Sequence, residues 1–173
     1  MIEEKYTQLC NTPSDIYQHL PTLKRYAEQS ESIVELGVRG IVSTWALLSG
    51  KPKHMISVDI ETPNTYGGDI WEVYDACNAE QIDFEFVQKS SLEIDLPPHD
   101  FLFIDTLHNY DQLTAELEKH SGSTQKFIAM HDTHIPDLPE MMQAVQDFLA
   151  KHSEWEIAED RVTNNGMTFL KRV

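Results

Sequence analysis

Short apolar runs alternate with segments of helical spacing along most of this chain, and that alternation constrains the fold more than any single motif. Ile33–Leu36, His54–Ile60, Ile82–Phe86, Phe101–Ile104 and Phe127–Met130 are strand-length runs. Phe101–Ile104 (FLFI) is continuously apolar, as a parallel strand covered on both faces must be. Between the runs, Val42–Ser49 reads as a compact helix closed by Gly50 and Pro52. Ile70, Val73, Tyr74 and Cys77 share one helical face, as do Tyr110, Leu113 and Leu117, with Lys119, His120 and Gly122 at that helix's end. After Pro136 and Pro139, the residues Met142, Val145, Phe148 and Leu149 describe a further amphipathic helix. Strand and helix in alternation predict an α/β protein with a parallel sheet. The ending departs from it: Trp155–Glu159 and Met167–Leu170 flank Asn165-Gly166, a hairpin turn signal, so the last strand runs antiparallel. A dehydrogenase Rossmann domain would continue with parallel strands.

The first thirty residues carry Ile16, Leu20, Leu23 and Ala27 at helical spacing, with Pro21 either kinking the segment or starting a second helix. They are expected to form a helical cap (residues 1–30) beside a Rossmann-like core (31–173), all in one domain. The 173 residues include 13 Lys plus Arg against 29 Asp plus Glu, a formal charge of −16. That excess repels phosphate backbones and anionic lipid, so neither nucleic acid nor a membrane surface is an expected partner. Cys10 and Cys77 are too far apart for a zinc knuckle and too few for a disulfide scaffold. With a polar, acidic Met1–Cys10 segment and no apolar run near the ~18 residues of a membrane span, the expected location is cytoplasmic. Oligomeric state is not readable, although the hairpin would leave a sheet edge that a partner could cover.

The sharpest motif is Glu35-Leu-Gly37-Val-Arg-Gly40-Ile-Val-Ser43-Thr44, at the C-terminal end of the first strand, where open α/β sheets bind ligands. Arg39 and Val42 stand where a dinucleotide fingerprint starting at Gly37 needs glycine, and no Gly-Lys-Ser/Thr of a Walker loop follows. Asp59 ends the second strand, and a carboxylate there can accept from two vicinal ribose hydroxyls, which suits a nucleoside without phosphates. A plain tight turn with a loop-capping Asp59 is the bland alternative. The second constellation is Asp105 with His108, and His131-Asp132 with His134, at the ends of the fourth and fifth strands. Asp105 and Asp132 could hold a divalent cation that lowers the pKa of an acceptor hydroxyl, or His131 or His108 could act as general base. Alternatively, Asp105 caps the helix beginning near Asn109 and Asp132 satisfies loop amides. The HxxH of His131 and His134 lacks cysteine companions, which argues against zinc. Trp45 and Trp71 are expected to pack on helical apolar faces, while Tyr66-Gly67-Gly68 and Asn109-Tyr110 are candidate acceptor-site elements.

VELGVRGIVSTWALL, VDIETP, FLFIDTLHNYDQLTAEL, FIAMHDTH and NNGMTFLKR, in that order, resemble the small class I S-adenosylmethionine (SAM)-dependent methyltransferases related to cephalosporin-hydroxylase-like and macrocin O-methyltransferase-like proteins. The resemblance covers about residues 20 to 172. It implies a three-layer αβα fold with a seven-stranded sheet of order 3-2-1-4-5-7-6, strand 7 antiparallel. It implies that Gly37, Gly40, Ser43 and Asp105 line the cofactor, that Glu35 steadies the loop, that Asp59 holds the ribose, and that Ser90 and Ser91 lie near the adenine. The wider class includes Mg2+-dependent O-methyltransferases with carboxylates after the fourth and fifth strands; here His131 occupies one such place. The expected function is methyl transfer to a small-molecule hydroxyl, with His131, Asp132 and His108 as catalytic candidates and Mg2+ at Asp105 and Asp132 as one route. Two rivals stand beside it: a noncatalytic nucleoside-binding or interaction module, and a metal-dependent oxygenase or hydrolase using Asp105, His131 and His134.

Overall fold

A computed structural model describes all 173 residues, Met1–Val173. Its centre is a seven-stranded sheet: β1 (Ser32–Leu36), β2 (His54–Asp59), β3 (Asp83–Gln88), β4 (His99–Ile104), β5 (Thr124–His131), β6 (Trp155–Arg161) and β7 (Met167–Arg172). The order is β3-β2-β1-β4-β5-β7-β6. β1 to β5 pair in parallel, and β7 runs antiparallel to both β5 and β6. The chain winds outward from β1 through β2 to β3, then crosses to β4 on the other side of β1. The connections that leave the C-terminal ends of β1 and β4 therefore run in opposite directions at a switch point, where sheets of this kind open a crevice.

Alternation along the strands builds two cores. Ile33, Met55, Phe101, Phe103 and Phe169 face one side, under α1 (Ile2–Cys10), α2 (Leu20–Ala27), α3 (Val42–Ser49) and α4 (Ile70–Glu80). Val34, Leu36, Leu102, Ile104 and Ile128 face the other, under α5 (Tyr110–His120) and α6 (Glu140–Lys151). Pro21 starts α2, and Leu20, Leu23 and Ala27 are fully buried in the first core. The N-terminal segment is thus part of the helix layer that covers the sheet. No helix is long and apolar enough to cross a membrane.

The hairpin is reached through three successive left-handed residues, Asn164, Asn165 and Gly166. A Cβ on Gly166 would lie 2.5 Å from that of His134, so the turn is pressed against the loop that follows β5. One expectation fails. Trp45 is buried, but Trp71 is 69% exposed, because α4 turns Ile70, Val73, Ala76 and Cys77 inward and leaves Trp71 on its outer face.

Candidate functional site

An open cleft of about 410 Å³ lies over the switch point, within the size range of small-molecule sites. Gly37, Arg39, Asp59, Ile60, Tyr66, Lys89, Ser90, Ser91, Asp105, Thr106, Leu107 and Gln112 line it with Val58. Gly37 is required by its surroundings. Its φ is +88°, and a Cβ would sit 1.9 Å from the carbonyl oxygen of Asp105. The ends of β1 and β4 touch here, with Asp105 N–H donating to Leu36 O (2.8 Å) and Gly37 N–H to Val58 O (2.9 Å). Asp59 closes the other side of the turn: one carboxylate oxygen accepts from Val38 N–H (2.7 Å) and Arg39 N–H (2.9 Å), the other from Glu61 N–H (3.0 Å). Three bonds leave a carboxylate some acceptor capacity, and Asp59 presents it to the cleft.

Three of the expected cofactor residues lie outside that lining. Glu35 is fully buried and accepts hydrogen bonds from Ser43 Oγ (2.6 Å), Thr44 Oγ1 (2.8 Å) and Ser57 Oγ (2.7 Å). Burial pushes its carboxyl up to about 7, against the downward pull of those hydroxyls. Glu35 fastens β1 to β2 and α3 from below the glycine turn. Ser43 is spent on Glu35. Gly40 has neither a left-handed φ nor a crowded Cβ position, its nearest neighbour being Tyr66 O at 3.7 Å. The left-handed residues are its two neighbours, Arg39 at φ +45° and Ile41 at φ +60°, the latter a conformation that crowds a β-branched side chain. Ser90 and Ser91 do line the cleft, with Ser91 Oγ hydrogen-bonded to the buried Glu116.

The second constellation converges in part. His131 ends β5, and Asp132, at φ +59°, turns the chain so that its carboxylate swings back toward Asp105. Asp132 Oδ2 lies 2.7 Å from His108 Nε2 and 3.1 Å from His131 Nδ1. Asp105 Oδ1 lies 3.4 Å from His131 Nδ1 and 3.5 Å from His108 Nε2. His108 is raised to about 9 by its bonds to Asp105 and Asp132. Burial alone would lower His131, yet the same carboxylates lift it to about 10. Burial would likewise raise Asp132, but His108 and His131 hold it far below the usual carboxylate range. With both imidazoles protonated, two negative and two positive charges balance. Asp105 reaches the cleft lining, so the cluster borders the cleft directly.

His134 is not part of this group. The left-handed turn at Asp132 sends it toward the hairpin, where His134 Nε2 meets Asp160 Oδ1 at 2.8 Å. Asp105, His131 and His134 therefore do not converge as one ligand set. Asp105 does not cap α5, since Asn109 does so by accepting from Gln112 N–H (2.9 Å). Tyr110 ties α5 to α6 through Asp147 (2.8 Å). The geometry fits Mg2+ poorly. Asp105, His131 and Asp132 offer ligand atoms within 4.8 Å of one another, but one donor is an imidazole, and Mg2+ demands oxygen ligands in a near-ideal octahedron. Asp105 Oδ1 and Asp132 Oδ2 already face two histidines, while Asp132 Oδ1 is buried without a hydrogen-bond partner.

Sequence reasoning missed His19, Thr106, Gln112 and Glu116. Fully buried His19 packs its ring edge-on against His131, with centroids 5.6 Å apart, and bonds through Nε2 to Asn164 O (3.1 Å). Nothing local to residue 19 signals a contact made across the whole chain. Glu116 did carry a signal, because it is a carboxylate on the buried stripe between Leu113 and Leu117.

No protein-family model and no curated protein sequence matches the chain. Solved structures do. The O-methyltransferase from Bacillus cereus in complex with S-adenosylhomocysteine (SAH) superposes with a TM-score of 0.68 at 16% identity, over 99% of this chain and 90% of that one. TomG, an O-methyltransferase from Streptomyces achromogenes in complex with SAM, gives 0.65 at 17% identity over 99% and 89%. Magnesium protoporphyrin IX methyltransferase from Synechocystis, with bound SAH, gives 0.67 at 10% identity over 98% and 94%. In sheet order, antiparallel last strand and helix layers, the chain has the Rossmann-like fold of the class I SAM-dependent methyltransferases.

Proposed function

We propose that this protein transfers a methyl group from SAM to a hydroxyl oxygen of a small-molecule acceptor. The observation that carries the reading is the continuity of the cleft: the turn held by Gly37 and Asp59, suited to a nucleoside, runs into Asp105 and hence into the His108–Asp132 pair. Bound SAM or SAH in fold neighbours supports it. The acceptor oxygen attacks the methyl carbon, the carbon–sulfur bond breaks with its electron pair going to sulfur, and the acceptor loses its proton. His108 is placed for that proton. Its Nε2–H donates to Asp132, leaving Nδ1, which makes no intramolecular hydrogen bond, as the basic atom. Asp132 and Asp105 stabilise the imidazolium that forms, in the manner of an Asp–His pair. Exposed Tyr66 and Leu107 at the cleft give an acceptor apolar surface to lie on.

The test is calorimetric titration of metal-stripped protein with SAH, with and without Mg2+, followed by turnover of SAM against a panel of hydroxylated acceptors. Binding in the micromolar range that Mg2+ leaves unchanged, with methylated product, is expected. No binding under either condition overturns the reading. Binding without turnover across the panel favours a noncatalytic module, and binding that requires Mg2+ restores the metal route.

A further inference from the structure

Six side-chain polar atoms are buried without a hydrogen-bond partner in the protein, and three of them share one neighbourhood: His19 Nδ1, His131 Nε2 and Asp132 Oδ1. A buried polar atom left unmet is costly, so three together call for a common partner. The rings of His19, just before α2, and His131, at the end of β5, meet edge-on with centroids 5.6 Å apart. Asp132 follows directly, and its other oxygen lies 3.1 Å from His131 Nδ1. The role of each atom follows from its neighbours. His19 Nε2 lies 3.1 Å from Asn164 O, and a carbonyl only accepts, so Nε2 carries the ring proton. Burial holds His19 neutral, helped by the charge on His131, which leaves Nδ1 a bare acceptor. Against its burial, His131 is kept an imidazolium by Asp105 and Asp132, so its Nε2 is a donor. Asp132 Oδ1, a carboxylate oxygen, accepts. One donor and two acceptors are the complement of a single water, which accepts once and donates twice, and about three bonds is what a buried water makes.

We propose that His19, His131 and Asp132 enclose a binding site for one internal water, and that His19 acts through it as a positioning residue for the His108–Asp132 pair. The second half rests on the reading of His108 as the base in methyl transfer. Asp132 Oδ2 faces His108 Nε2 at 2.7 Å. With Oδ1 held by the water, the carboxylate does not turn about its Cβ–Cγ bond, and Oδ2 stays aimed at His108. His19 is itself fixed from the hairpin. Left-handed Asn164 accepts from His19 Nε2–H through its carbonyl and from Gln18 N–H through Oδ1 (3.2 Å), while its amide donates to Ser14 O and Asp15 O. Neither His19 nor His131 lines the cleft. The N-terminal segment and the hairpin thus bear on the reacting pair from behind, without touching a ligand.

A high-resolution crystal structure of the full chain tests the site directly. One water within about 3.2 Å of all three atoms is expected; protein groups bonded to them in its place would overturn the proposal. Nitrogen-15 NMR of histidine-labelled protein at neutral pH should show His19 protonated on Nε2 alone and His131 on both nitrogens. A proton on His19 Nδ1 would overturn it as well. Two variants separate positioning from packing: His19→Asn sets a side-chain oxygen near the place of Nδ1, whereas His19→Gln keeps the reach to Asn164 O and loses that acceptor. With thermal melts showing both folded, His19→Gln is expected to lower kcat about tenfold with the KM for SAM changed less than about twofold, and His19→Asn to recover most of the loss. Equal losses in the two variants, or none in either, would refute the positioning role. A wild type with no turnover would overturn the methyl-transfer reading, while the crystal and NMR results still decide the water site.

Discussion

Glu35 offers a quantitative test of how the glycine turn is supported. A carboxyl held near 7 in the fold and 4.5 when unfolded keeps its proton in the native state over a range where the unfolded chain has released it. The sign follows from linkage: the raised native pKa makes its contribution fully present below pH 4.5, and stability is lost as pH rises through 7. At ~1.36 kcal/mol per unit, the full loss is about 3 kcal/mol, of which about 2 falls between pH ~5.5 and ~8. Glu35 is completely buried, so solvent does not screen the effect. Glu35→Gln keeps the shape and an acceptor for the Ser43, Thr44 and Ser57 hydroxyls, which can rotate to suit an amide, but cannot ionise. Urea unfolding of both proteins across this pH range gives the difference directly, since titrations common to both cancel. Relative to the wild type, the variant should gain about 2 kcal/mol from the acid end to the alkaline end. A difference that stays flat with pH would show that Glu35 titrates normally, and that the three hydroxyls outweigh its burial.

The other predictions concern the cleft. Asp59→Ala should weaken SAH binding by about 1–3 kcal/mol, through lost ribose bonds and a loosened Val38–Arg39 turn; unchanged calorimetric affinity would remove Asp59 from the site. Turnover should climb with pH toward about 9, as His108 Nδ1 sheds its proton. Asp132→Asn removes one of the carboxylates that raise His108, so the rising limb should move about one unit toward acid, and turnover should fall more than cofactor affinity. A limb that stays in place would take Asp132 away from His108.

What was legible in the sequence is local, and what was not is relational. Alternating apolar runs marked the strands because a parallel strand buries both faces, and Asn165-Gly166 marked the hairpin because two left-handed residues in succession need such side chains. Gly37 was readable for the same reason. Gly40 itself does not take the left-handed turn: the backbone is left-handed on either side of it, at Arg39 and Ile41, where no composition rule would place it. Ser43 looked like a ligand group at a helix start, but its hydroxyl points to a carboxylate on β1 that Ser57, on β2, shares. His131 and His134 stand three apart in sequence, yet the conformation of Asp132 assigns them to different neighbourhoods. Trp71 lies one position from Ile70 and about 100° around the helix, enough to move it from the core to solvent.

The charge at position 131 decides what the cluster can hold. A carboxylate there would bring three negative charges together with Asp105 and Asp132, and such a set is held in place by a divalent cation. His131 instead contributes a proton and a positive charge, and with His108 it balances the two aspartates within hydrogen-bond range. If that balance is what excludes Mg2+, placing a carboxylate at position 131 should admit the ion. His131→Asp is therefore expected to be destabilised in metal-free buffer, by like charges in a buried place, and to recover thermal stability on adding Mg2+. The wild type should melt at the same temperature with and without Mg2+. A Mg2+-dependent rise in the wild type, or none in the variant, would refute the argument that imidazolium takes the cation's place.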